Sequence, residues 1–365
     1  MKYSIIIPVY NRPDEVNELL QSLTTQTFRD FEVLVIEDGS DIPCQEVISK
    51  YTNQLELRYY VKPNSGPGQT RNYGVQHSLG EYMIVLDSDV VLPAGYLQAI
   101  EDELQQNPCE AFGGPDRAHE SFSAVQKAIN YSMTSFFTTG GIRGGKKQMD
   151  KKFYPRSFNM GIRKSLYEKL GGFSEMRFGE DIDFSIRIYE SGANCRLFPE
   201  AWVWHKRRTD LKKFYKQVHN SGIARINLTK RHPGTLKLVH LLPMLFTVGT
   251  ILCLLTAQFF LQMTLGAYAR MRNATDAAIA LSGAEDFTIF SHGLLICLSP
   301  LLLFALIIFI DSTIRNKSLW IGLLSICASF IQLFGYGIGF IQAWWMLCVC
   351  GVKEDQQAFR KNFYK

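Results

Sequence analysis

The chain has 365 residues, 47% of them hydrophobic and 20% charged, with a formal net charge of +5. That is long enough for one full-sized α/β domain and more, and too mildly basic to indicate a nucleic-acid binder, whose cations crowd one face. Eight cysteines form no Cys-x-x-Cys pair, which speaks against a zinc site or a disulfide framework and suits a reducing cytosol.

The first predicted element is a strand over residues 4–10, a continuous apolar run of the kind that parallel sheets bury on both faces. It contains Pro8, runs into Asn11-Arg12-Pro13 and lacks a cleavage-site pattern, so no secretory leader is expected. Pro13 suits the first turn of a helix, and Val16, Leu19, Leu20 and Leu23 then fall on one face. A second strand over 31–36 ends at Glu37-Asp38-Gly39-Ser40. A third, over 55–61, leads into the Gly-rich loop 62–68. A helix over 69–78 stops at Gly80, and the strand at 82–86 delivers Asp87-Ser-Asp89 at its carboxyl end. Repeated β-α-β units of this size predict a Rossmann-like, mainly parallel sheet covered by helices on both faces. Ligands bind such sheets beyond the carboxyl ends of the strands, where Tyr10-Asn11, Asp38, Asn64 to Gly68 and Asp87 to Asp89 all fall.

Residues 140–145, Gly-Gly-Ile-Arg-Gly-Gly, suggest either a lid or an ordinary surface loop. A helix is predicted from Asp181, with Ile182, Ile186 and Tyr189 on one face and Gly192 past its end. Nine basic residues follow between Lys206 and Arg231, as expected beside a membrane span on its cytoplasmic side. Spans are predicted at 238–261 and 294–310. The longer stretch 319–350 contains Gly335, Gly337 and Gly339 and reads as a broken span, a hairpin or an interfacial segment. Three crossings would place the basic residues of the tail, 351–365, opposite the catalytic part, so a re-entrant or interfacial last segment is preferred. The division is therefore a domain at 1–230, membrane helices at 236–350 and a short tail.

Carboxylates two residues apart at a strand end lie on one side and can hold a hard cation. Asp87 and Asp89 have that spacing behind an apolar strand; Asp181 and Asp183 share it but open a helix. The segments Ser4-Ile-Ile-Ile-Pro-Val-Tyr-Asn11, Val35-Ile-Glu-Asp-Gly-Ser40, Asn64-Ser-Gly-Pro-Gly-Gln-Thr-Arg-Asn72, Asp87-Ser-Asp89 and Gly179-Glu-Asp-Ile-Asp183 occur in the order seen in family 2 glycosyltransferases. Over residues 1–230 the chain resembles an inverting enzyme of that family with the GT-A fold, followed by transmembrane helices.

The resemblance implies a UDP- or GDP-sugar donor and magnesium or manganese, with no organic cofactor. It implies that Pro8, Tyr10 and Asn11 border the nucleotide, that Asp38 holds the base, and that Asn64, Gly68, Arg71 and Asn72 line the donor site. Asp89 would be the main metal ligand, with Asp87 beside it and His205 reaching the metal or diphosphate. Asp181 would be the general base, with Glu180 and Trp204 on the acceptor side. Each has a plainer reading: a turn for Asp38, a surface helix for Arg71, a helix terminus for Asp181, simple packing for His205. Trp202 and Trp204 fall on one strand face. The Gln-x-x-Arg-Trp motif of processive members is missing after the Glu-Asp pair, with only Arg207-Arg208 nearby, so single sugar addition is expected. A lipid-linked or cell-envelope glycan is the expected acceptor, with the catalytic domain cytoplasmic on the inner or plasma membrane and membrane lipids as partners. A dinucleotide oxidoreductase fits poorly, because no Gly-x-Gly-x-x-Gly follows the first strand; a non-catalytic scaffold fits poorly because the carboxylates are intact.

Overall fold

The computed structural model describes residues 1–117, 121–140, 153–176 and 178–352. Most of the candidate lid at 140–145 and the basic residues of the tail lie outside them.

The first half alternates strand and helix as the sequence predicts: β1 (Tyr3–Val9), α1 (Pro13–Thr24), β2 (Phe31–Asp38), α2 (Gln45–Ser49), β3 (Leu57–Lys62), α3 (Pro67–Gln76), β4 (Tyr82–Leu86), β5 (Val90–Val91) and α4 (Tyr96–Gln106). There follow β6 (Ala111–Gly113), β7 (Asp116–Arg117), α5 (Ala124–Thr134), α6 (Phe136–Thr139), β8 (Asn159–Arg163), α7 (Lys164–Leu170), α8 (Glu180–Glu190), β9 (Cys195–Leu197), β10 (Val203–His205) and α9 (Leu211–Arg231). Seven strands form one sheet in the order β3-β2-β1-β4-β8-β6-β9. The first four are parallel, and β8 runs against both of its neighbours. Alternate residues feed two cores. Ile5, Ile7, Val33, Val35 and Ile84 meet α1 and α4 through Leu19, Leu20, Tyr96 and Leu97. Ile6, Leu34, Ile36, Met83 and Val85 meet α3, α7 and α8 through Val75, Leu166 and Phe184. Gly74 permits the close approach of α3, since a Cβ there would stand 2.6 Å from Ile6 Cγ2.

The chain winds outward from β1 to β3 and then returns to β4 on the other side of β1. That reversal opens a crevice between the carboxyl ends of β1 and β4. A second, three-stranded sheet, β5-β10-β7, stands at its edge.

Two expectations for the helices change. In α8 the buried side is Phe184, Ile186 and Ile188, while Tyr189 is exposed. The last apolar stretch is neither broken nor a hairpin: α12 runs unbroken over Leu319–Trp344 and widens into a π turn at Trp345–Val349. Its glycines permit close packing. A Cβ on Gly335 would strike Val218 of α9, one on Gly339 the carbonyl of His219, and one on Gly222 the carbonyl of Tyr336. The two preceding helices, α10 (Leu242–Arg272) and α11 (Ala277–Asn316), extend past their apolar stretches into an antiparallel hairpin, joined beyond them by Arg270 and Asp286 at 2.6 Å. All three are long and apolar enough to cross a membrane.

Candidate active site

Parallel β1, β2 and β4 end together, which brings residues 10–12, Asp38 and Asp87 to one rim. Asn11, at φ 53°, turns the chain there, and its side-chain oxygen accepts from the amides of Asp41 and Ile42. Tyr10 is exposed and Pro8 half-buried on the same rim. Asp38 is buried and does more than stabilise the Gly39 turn. Its carboxylate accepts from the amides of Ser65 and Gly66, each at 2.9 Å, and pairs with Lys62, so it ties the Gly-rich loop to β2. Asn64 donates back to the Asp38 carbonyl at 2.8 Å.

The far strand β10 completes a cluster of side chains that could hold a cation. His205 is in register with Val90, immediately after Asp89, and Lys206 donates its amide to the Asp89 carbonyl. One ligand atom from each of Asp87, Asp89 and His205 lies within 4.8 Å of the others. Asp89 Oδ1 is buried without a hydrogen-bond partner and faces His205 Nε2 at 3.3 Å. Burial alone would push this carboxyl up, but His205, Arg12 and Arg208 outweigh it and hold it far below the ordinary carboxylate range. An ionised carboxylate oxygen lacking a donor, beside an imidazole and a second carboxylate, is a donor set that suits a hard or borderline divalent cation. His205 also stacks on Phe158 with ring centroids 4.8 Å apart. Trp204 faces the other side of β10, edge-on to Trp202 at 4.7 Å, as the strand spacing predicts.

Arg71 is no surface residue. Its guanidinium is buried and joins the two halves of the site, donating to Asp87 at 2.8 Å and to Glu180 at 3.1 Å. Burial and the neighbouring Asp181 charge push the Glu180 carboxyl up to about 7, against the opposing pull of Arg71. Asp181, in the first turn of α8, pairs with Arg156 at 2.9 Å and remains partly open to solvent. Gly68 lies against this pair, and a Cβ there would stand 3.2 Å from Glu180 Cγ. Asn72 is engaged elsewhere: its amide bonds both the amide and carbonyl of Phe173 and the Tyr167 hydroxyl, fixing α3 to the turn before α8.

The acidic groups therefore share one crevice, with Arg71 between Asp87 and the Glu180-Asp181 pair. Among the described residues, two cavities flank it. One of about 200 Å³ lies between residues 65–69 and 174–176, and one of about 450 Å³ lies behind α8, where His232 bonds Asp183 at 2.9 Å. Sequence reasoning missed Arg12, Arg156 and Arg208 as partners of the acidic groups. Arg12 follows directly on Asn11 and was legible from that position, whereas nothing local marks Arg156. The basic stretch also divides. Lys206, Arg207 and Arg208 pair with Glu18, Asp116 and Asp89, while Lys212, Lys213 and Lys216 stay exposed on α9.

Residues 4–171 match the family model for Glycosyl transferase family 2. An uncharacterized glycosyltransferase of Rickettsia felis is 39% identical over 137 residues, 38% of this chain and 22% of that protein. The pre-mycofactocin glycosyltransferase of Mycobacterium tuberculosis is 28% identical over 235 residues, 63% of this chain and 48% of the relative. The chain thus spans about half or less of the length of these curated relatives. Among solved structures, the mannosyltransferase PcManGT from Pyrobaculum calidifontis, in complex with GDP-Man and Mn2+, aligns with a TM-score of 0.53 at 14% identity, covering 94% of this chain and 87% of that one. At that identity the likeness speaks for the fold. By that match the segment 4–171, just under half of the chain, belongs with glycosyltransferase family 2, and the fold is that of a GT-A domain followed by apolar helices.

Proposed function

We propose that the protein is a membrane-anchored, inverting glycosyltransferase that moves one sugar from a nucleoside-diphosphate donor, UDP- or GDP-linked, to a lipid-linked or cell-envelope glycan. The observation that carries this reading is the cluster of Asp87, Asp89 and His205 at the strand ends, tied through Arg71 to Glu180 beside Asp181. Asp87, Asp89 and His205 would hold a magnesium or manganese ion, whose charge would offset that developing on the departing nucleotide.

The remaining work falls to side chains. The rim from Pro8 to Asn11 and the loop from Asn64 to Gly68, locked by Asp38, form a preset cradle for the nucleotide. Preset dipoles and charges act without reorganising as the bond breaks. Asp181 takes the proton from the acceptor hydroxyl as that oxygen attacks the anomeric carbon from the face opposite the leaving diphosphate. Arg156 orients Asp181, and Arg71 fixes Glu180 beside it. Glu180 would lie on the acceptor side beside Asp181, whereas Trp204, expected on the same side from the sequence, faces away from His205 across β10. The missing Gln-x-x-Arg-Trp motif supports single addition.

Exposed apolar side chains along α10 and α11 support the anchor, since a surface of that kind calls for lipid or another apolar partner. The test is a panel of nucleotide sugars screened for transfer and hydrolysis with manganese, magnesium and chelator. Turnover that is indifferent to chelator removes the cation role, and silence across the panel removes the donor class.

A further inference from the structure

α12 is as apolar as a membrane span, with exposed Trp320 near its start and Trp344 and Trp345 near its end. Aromatic residues at both ends also mark helices that cross a bilayer. Its contacts say otherwise.

At the start of α12, Ile321 and Ala328 share a core with Ala128, Ile129 and Met133 of α5, and with Phe214 and Val218 of α9. Further along, Gly335 abuts Val218, and His219 bonds Gln342 at 3.1 Å. Phe340, Ala343 and Leu347 pack with Ile223 and Ile226, and Lys230 reaches the Leu347 carbonyl at 3.1 Å. Numbers rise together on both helices, so α9 and α12 run parallel. α9 in turn lies on the GT-A domain: Leu228 packs with Met176 and Ile186, and a Cβ on Gly179 would stand 3.2 Å from Ala224 Cβ. From Ile321 to Leu347, roughly 39 Å at 1.5 Å per residue, α12 never leaves the underside of the catalytic domain. A bilayer core is about 30 Å thick. For α12 to cross it, α9 would have to enter as well, carrying Lys212, Lys213, Lys216, Arg225, Lys230 and Arg231. A cation costs about 2.5–3.5 kcal/mol or more at the bilayer centre and less toward its edges, so Lys216 and Arg225, the furthest of the six from the ends of α9, weigh most against its entry.

We infer that α12 lies in the plane of the membrane surface as a floor beneath the catalytic domain, so that the chain crosses the bilayer twice, through α10 and α11. This rests on the membrane reading proposed above and extends it to a surface and its partner, the lipid headgroup layer. Two features match that partner. Exposed Lys212, Lys213 and Lys216 border the floor and suit anionic headgroups. Phe136 and Phe137 of α6, which packs on α12, are exposed beside it. Asp181, just past Gly179, then stands about one helix diameter, ~10 Å, above the floor. The acceptor hydroxyl is therefore met at headgroup depth.

The test uses the full chain in sealed membrane vesicles with epitopes at Met1, in the α10–α11 turn at 273–276, and after Lys365. The expected result is that the first and last epitopes face one side and the turn epitope the other. A last epitope on the side of the turn overturns the inference and leaves the anchor standing. A turn epitope on the Met1 side sinks the anchor reading and the two-crossing count together. Chains keeping only Cys327 or only Cys348, both exposed on α12, are then labelled with a fluorophore and quenched by lipids of graded depth. Equal shallow depths are expected; depths differing by the thickness of the bilayer core overturn the inference.

Discussion

The central sheet and the α10–α11 hairpin are built from the same residue types with opposite exposure. In β1, Ile5, Ile6 and Ile7 are all fully buried. In α10 and α11, Leu252, Leu255, Leu295 and Leu302 are each more than half exposed. An isoleucine in the sheet is stabilised by its neighbours within the chain; a leucine in the hairpin has to be stabilised by something outside it. Composition does not separate the two regions, but periodicity does. Short apolar runs between polar turns close on themselves, whereas long ones leave a surface for a second solvent.

That contrast can be broken at the rim of the sheet, where charges replace apolar contacts. Asp89→Asn is expected to lower kcat/KM by about three orders of magnitude, as loss of a preorganised charge at a developing anion does, and to abolish manganese binding in a calorimeter. Membrane recovery of the variant should match the parent; if it does not, the two regions are not separable. Asp181→Asn should cost about 10²- to 10⁴-fold in kcat, the usual share of a general base, with donor affinity unchanged. Wild-type turnover in that variant would remove Asp181 from the mechanism. Arg71→Ala leaves two carboxylates facing each other and should destabilise the domain by about 3–5 kcal/mol, the cost of breaking a buried pair, read by chemical denaturation in detergent.

A matched pair sharpens the comparison further. Ile6→Ala should cost about 2–5 kcal/mol as a core cavity, while Leu255→Ala in the hairpin should change stability in detergent by less than about 0.5 kcal/mol, as surface substitutions do. Equal losses would mean that the hairpin has a protein partner. The smallest effect concerns pH. Glu180, pushed up to about 7, is neutral below that value and charged above it. Protonation weakens its pairing with Arg71, so kcat/KM should fall as pH drops through about 7, and Glu180→Gln should flatten that acid limb.

Much of the rim was legible because it is local. Asp38, Asp87 and the Gly-rich loop follow directly on apolar strands, and a parallel sheet brings strand ends together whatever the loops do. What escaped is what arrives from far along the chain. Arg156 meets Asp181 only because β8 runs back against β4, and no pattern around residue 156 announces it. The π turn at Trp345 and the unbroken course of α12 were obscured by the glycines, which read as helix breakers in sequence but serve close packing on α9. The Arg71 bridge depends on two helix starts, those of α3 and α8, meeting on one face of the sheet although Arg71 and Glu180 stand 109 residues apart, a proximity that sequence spacing does not express.

The pairing of β10 with β5 puts an assembly order into the molecule. Asp87 and Asp89 are ready once β4 is laid down, but His205 joins them only when β10 zips onto Val90. Until β10 is paired, the cluster therefore has its two carboxylates without the imidazole. Under the proposed cation role, full ligation waits for a strand that α9 separates from the apolar helices.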